Sequence, residues 1–128
     1  MTTELPRPTE AELEILRVLW DRGPSTVREV HTEIQRARTT AYTTVLKLLQ
    51  IMTDKGLVTR DAAERSHVYA PRVAEHVTQR QLVTDLLERA FKGSAASLVM
   101  QALDASRATP DELTEIRRLI DRRRGASR

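Results

Sequence analysis

Between Gly56 and Pro71 the apolar pattern of this chain changes period, and that change limits the folds open to it. Before it, Tyr42, Val45, Leu46, Leu49 and Met52 fall at i, i+3, i+4, i+7 and i+10, the buried stripe of a helix. That helix is predicted to start near Thr39 or Thr40 and to run to Lys55, with Gly56 as a left-handed C-cap. Leu57-Val58-Thr59-Arg60 and His67-Val68-Tyr69-Ala70 then make two short β-like runs around the polar stretch from Asp61 to Ser66, and Pro71 closes them. Everything else reads as helix. The expected fold is mainly α with a small β-hairpin.

The segments on either side carry their own start signals. Thr9 and Glu12 have capping-box spacing ahead of Leu13, Leu16, Val18, Leu19 and Trp20, and Gly23-Pro24 ends this first helix. Thr26 and Glu29 repeat the box ahead of Val27, Val30 and Ile34, a short second helix. Beyond the hairpin, one long helix is expected from about Ala74 to Lys92, broken by Gly93. Ser94 caps a fifth, with Leu98, Val99, Ala102 and Leu103 apolar. Thr109, Pro110 and Glu112 open a sixth, lined by Leu113, Ile116, Leu119 and Ile120.

Composition narrows the function. Aromatic residues make up 3% of the chain, so Leu, Val, Ile and Ala must fill the core. Cysteine is absent, which excludes disulfides, thiolate metal sites and cysteine nucleophiles. His31, His67 and His76 fall on different predicted elements, and no Gly-rich phosphate loop or nucleophile elbow is present. The expectation is no enzyme, with no catalytic residue, metal or cofactor. No apolar run approaches the ~20 residues of a membrane span, and no signal-peptide core opens the chain, so a cytoplasmic protein without membrane insertion is expected.

The net charge of +3 is modest, but its distribution is uneven. Residues 1–33 carry four Arg against seven acids, residues 34–72 seven Lys or Arg against three, and residues 73–128 ten against eight. The basic middle coincides with the third helix and the hairpin, as a phosphate-contacting face would. Three short helices followed by a hairpin is the winged helix-turn-helix order, in which the first two helices buttress the third and leave its polar face free for a major groove. A threonine-rich face alone is more often only a solvated surface; the order of elements gives this one its meaning. Thr40, Thr43 and Thr44 suit phosphates or thymine methyls, Lys47 suits a phosphate or guanine, and Arg60 and Arg65 on the wing suit the backbone or minor groove. The alternative is a winged-helix adaptor that binds a protein partner without sequence-specific DNA binding.

The stretches Thr9 to Trp20, Thr26-Val27-Arg28-Glu29-Val30, Ala41-Tyr42-Thr43-Thr44-Val45-Leu46, Lys55-Gly56-Leu57-Val58 and Val68-Tyr69-Ala70-Pro71 carry a resemblance over nearly the whole chain. In them the sequence resembles the penicillinase-repressor family of BlaI/MecI/CopY-type repressors. That resemblance implies a dimeric repressor on dyad operator DNA, controlling β-lactamase or membrane metallopeptidase genes, and adds Ala41 to the DNA-contacting set. It implies a winged-helix domain over residues 1–72 and a helical dimerisation domain over 73–128, with Leu86, Leu98, Leu103, Leu113, Ile116, Leu119 and Ile120 at the dimer face. It also implies a membrane sensor-protease pathway that cuts β-lactam-responsive members at an Asn-Phe bond in the fifth helix. Here the candidate cleavage region reads Gln101-Ala102, a departure from that specificity. The cysteine pair of copper-responsive relatives is missing, and Ile51-Met52 replaces a frequent Arg-Leu. The arginines at 122, 123, 124 and 128 read as a solvated helix end.

Overall fold

The computed structural model describes residues 5–63 and 65–126; Arg128 of the basic tail lies outside the described residues. Helix α1 (Glu10–Arg22) starts where the sequence marks it: Thr9 Oγ1 accepts the Glu12 N–H at 3.2 Å and Glu12 Oε1 accepts the Thr9 N–H at 2.8 Å. Helix α2 (Val27–Ala37) opens on the same reciprocal pair between Thr26 and Glu29. Between them lies β1 (Ser25–Thr26), a strand too short for any period to announce.

Helix α3 (Tyr42–Lys55) begins later than expected. Ala41 occupies the N-cap in an extended conformation with no side-chain cap, and Thr40 stands in the link before it. The other end behaves as read: Gly56 takes a left-handed φ of +85°, and Leu57 N–H closes back on the Met52 carbonyl at 2.9 Å.

Strands β2 (Val58–Asp61) and β3 (Val68–Pro71) form the hairpin, with Arg60 opposite Tyr69 and Val58 opposite Pro71. β1 adds to the other edge of β3, Ser25 opposite Tyr69, so the antiparallel order is β1-β3-β2. This central position makes Tyr69 the largest fully buried side chain. Around it close Ile15, Leu16 and Leu19 of α1, Val30 and Ile34 of α2, Val45, Leu49 and Met52 of α3, and Leu57 and Val58. Trp20 packs against this core and donates its indole N–H to the Val73 carbonyl at 3.0 Å, which fixes the chain leaving β3. Three helices on a small sheet, with a hairpin after the third, are a winged helix.

Helices α4 (Glu75–Ala90), α5 (Ala95–Ala105) and α6 (Pro110–Ala126) complete the chain. Ser94 caps α5 through the Ser97 N–H, and Thr109 and Glu112 exchange hydrogen bonds of 3.1 and 3.0 Å at the start of α6. The chain divides into two compact units, the first through Leu82 and the second from Val83. The second is unlike the first: among the described residues, neither α5 nor α6 has a buried residue. Among the described residues, no helix is long and apolar enough to cross a membrane.

Candidate nucleic-acid interface

The buried stripe of α3 leaves the opposite side of the helix to solvent. Val45, Leu49 and Met52 point into the core, while Thr43, Thr44, Lys47 and Gln50 are exposed. Among the described residues, those four side chains have no protein partner, so their hydroxyl, ammonium and amide groups are available to a ligand. Ile51, also exposed, puts an apolar side chain beside them.

Thr40 and Ala41 behave differently from the other expected contacts. Both precede the first turn of α3, and the Thr40 hydroxyl donates to the Arg38 carbonyl at 3.2 Å. The expectation that Thr40 lies on the helix face is corrected: its N–H is taken by Gln35 Oε1 at 2.9 Å and its carbonyl by His31 Nε2 at 2.6 Å, which holds the peptide in the link. Tyr42, expected on the buried stripe, is 45% exposed. As the first residue of the helix it has no preceding turn to cover it, and its ring meets His31 edge-on at 5.8 Å and 78°.

The tip of the wing lies beside the first turn of α3. Asp61 Oδ1 accepts the Ala63 N–H at 2.9 Å and starts the turn at the hairpin tip. Arg60 and Arg65 are both exposed. Arg65 lines an open cleft of about 560 Å³ with Arg28, Tyr42, Ser66 and His67, between the start of α2, the first turn of α3 and the wing. Sequence reasoning does not single out Arg28 or His67 here, because the cleft is assembled from three separate elements. Two guanidiniums over a polar-lined cleft can bind an anion of phosphate type.

Other cations of the first unit are held by carboxylates. Arg38 pairs with Glu14 at 2.6 Å, and Glu14 pushes the guanidinium further toward permanent charge. Arg22 pairs with Glu29 at 2.7 Å. The Thr26 backbone N–H, with Arg22 and despite a small desolvation, holds the Glu29 carboxyl below its usual range. Such pairs stiffen the scaffold; among the described residues Lys47, Arg60, Arg65 and the cleft residue Arg28 are in no such pair.

In the second unit the expected dimer residues are placed at or near the surface. Leu86, Leu113, Leu119 and Ile120 are exposed, and Leu98, Leu103 and Ile116 are half-buried. Gln101 and Ala102 are exposed inside α5, where a protease would have to unwind the helix before reaching an extended peptide.

Comparison with known proteins gives consistent matches. The family model for penicillinase repressors matches residues 8–122. The transcriptional regulator BlaI of Mycobacterium tuberculosis (strain H37Rv) is 33% identical over 119 residues, covering 91% of this chain and 85% of that protein. The solution structure of the DNA-binding domain of the repressor BlaI superposes with a TM-score of 0.51 at 27% identity, over 58% of this chain and 90% of that one. The structure of the Bacillus licheniformis BlaI monomeric form in complex with the blaP half-operator gives a TM-score of 0.50 at 28% identity, over 56% and 88% of the two chains.

Proposed function

The chain belongs to the penicillinase repressor family, DNA-binding transcriptional repressors and not enzymes, and on that premise we propose how it represses: as a cytoplasmic homodimer on double-stranded operator DNA of dyad symmetry. Residues 1–72 read the half-site and residues 73–128 join the protomers. The observation that carries this reading is the unpartnered polar face of α3, together with the wing cation Arg65 in the cleft beside the first turn of that helix and Arg60 exposed on the same hairpin.

Each α3 enters a major groove with Thr43, Thr44 and Lys47 toward base edges and phosphates, while Thr40 and Ala41 bring backbone close to the phosphate strand. The wing arginines add contacts to the backbone or minor groove. Two such helices about one helical turn apart read the two half-sites, which requires a two-fold dimer. The apolar side chains Leu86, Leu98, Leu103, Leu113, Ile116, Leu119 and Ile120 support a partner chain as their cover, since three helices that among the described residues bury only Thr78 are poor candidates for an independent monomeric core. The targets fitting the family are β-lactamase or membrane metallopeptidase genes.

Selection of genomic fragments by the purified protein tests this directly. Enrichment of dyad-symmetric sites supports the repressor and identifies its genes. A folded, dimeric protein that enriches no sequence would replace it with the protein-binding adaptor.

A further inference from the structure

We propose that His31 is a positioning residue for operator recognition, one that sets the pose of the first turn of α3 by gripping Thr40 and Tyr42. This rests on the repressor reading above.

A helix begins with N–H groups that have no partner inside it, and a capping side chain ordinarily holds the first turn in place. Both neighbouring helices of the first unit have such a cap; α3 has none, because Ala41 occupies the position. Its start is held from outside, by α2. Gln35 Oε1 accepts the Thr40 N–H at 2.9 Å, and four residues earlier on the same helix His31 Nε2 lies 2.6 Å from the Thr40 carbonyl oxygen. A carbonyl oxygen only accepts, so His31 carries its proton on Nε2 in this arrangement. The imidazole also meets the Tyr42 ring edge-on at 5.8 Å.

Two successive peptide groups, those on either side of the Thr40 Cα, and the first helical side chain are thereby tied to α2, immediately before Thr43 and Thr44. A change in the angle of that turn displaces the residues proposed to read bases. His31 is half-buried and stands outside the apolar core, so its removal alters the presentation of α3 more than the stability of the domain.

The test compares wild type with His31→Leu, which keeps bulk but loses the donor, and with His31→Gln, whose amide nitrogen reaches about as far as Nε2. The probes are a duplex carrying the dyad site recovered by fragment selection and a scrambled duplex of equal length. His31→Leu is expected to bind the dyad duplex about tenfold more weakly, with scrambled-duplex affinity within about twofold, because a misplaced base contact costs specific binding while phosphate attraction persists. Its melting temperature should stay within about 3 °C of wild type, and His31→Gln should recover most of the loss. An unchanged dyad preference in His31→Leu overturns the proposal. So does a loss that appears equally on both duplexes, or one that His31→Gln fails to recover. If wild type itself does not prefer the dyad duplex, the repressor reading has failed and the proposal falls with it.

Discussion

Lys55 Nζ lies 2.6 Å from Glu12 Oε1, so the last residue of α3 is ionically tied to the first turn of α1. Glu12 is the carboxylate that also closes the Thr9 capping box, and its side chain is only 3% exposed. Lys55, one-third exposed, donates in addition to the Arg7 carbonyl at 3.1 Å. One acidic residue therefore starts one helix and anchors the end of the helix proposed to bind DNA.

The two partners differ in what their loss leaves behind. Lys55→Met strands a buried carboxylate with only the capping N–H, whereas Glu12→Gln keeps an oxygen for Thr9 and leaves an ammonium that water can reach. Urea denaturation at pH 7 should find Lys55→Met destabilised by about 2 kcal/mol and Glu12→Gln by about 1 kcal/mol. The reverse order would remove the pair from its anchoring role.

Acid should weaken the fold through the same residue. Burial pushes the Glu12 carboxyl up, but the Lys55 hydrogen bond, the Thr9 backbone N–H and the Lys55 charge outweigh it, and the net value lies below the usual carboxylate range. A lowered folded value contributes stability that is complete above the unfolded value, about pH 4.3, and is lost as pH falls through the folded one. Glu29 acts in the same direction. The stability of Glu12→Gln should therefore fall less steeply than wild type below about pH 4.3; parallel acid limbs would contradict this.

Gly56 is required for its backbone conformation and not for lack of space. A Cβ there would meet only the Arg72 guanidinium, at 3.6 Å, but φ is +85°. Gly56→Ala should cost about 1 kcal/mol in urea denaturation through left-handed strain alone. Unchanged stability would show that the turn relaxes.

Lys47 tests the groove-facing side of α3. Lys47→Ala should weaken binding by about 1–3 kcal/mol at one operator position if it meets a base, or weaken binding to all duplexes and lower the salt slope by about one if it meets a phosphate. Unchanged affinity and preference would remove this face from the interface.

The second unit is tested by charge. Leu119→Asp or Ile120→Asp places a carboxylate on a face that a partner chain is proposed to cover. Sedimentation should shift toward monomer while operator affinity falls with it. A fully dimeric variant would mean that the dimer face lies elsewhere.

Much of this architecture is legible in the sequence because its signals are local. Thr9, Thr26, Ser94 and Thr109 each sit in the capping position their spacing marks, and Gly56 takes the left-handed cap. What is not legible depends on contacts made across the chain. The start of α3 is displaced from Thr39 or Thr40 because α2 grips the Thr40 peptide, a contact nine residues apart in sequence. β1 exists only because β3 offers an edge to Ser25 and Thr26. Ile15 is fully buried although the expected apolar face of α1 is drawn through Leu13, and Glu12 is buried because Lys55 arrives from the far end of α3. The polar face of α3 is readable from helical period; the cleft joining Arg28, Tyr42 and Arg65 is not, since no single element contains it.

In the proposed complex two protomers grip one dyad duplex, and its phosphates supply much of the affinity. Fluorescence anisotropy titration of a recovered site across a salt series, with stoichiometry measured on the same complex, decides whether this complex forms. Two protomers per duplex should bind, with log affinity falling against log salt by roughly 0.9 for each phosphate neutralised, a steep slope when several are engaged. A shallow slope, or a single protomer bound without preference for the dyad, would contradict it.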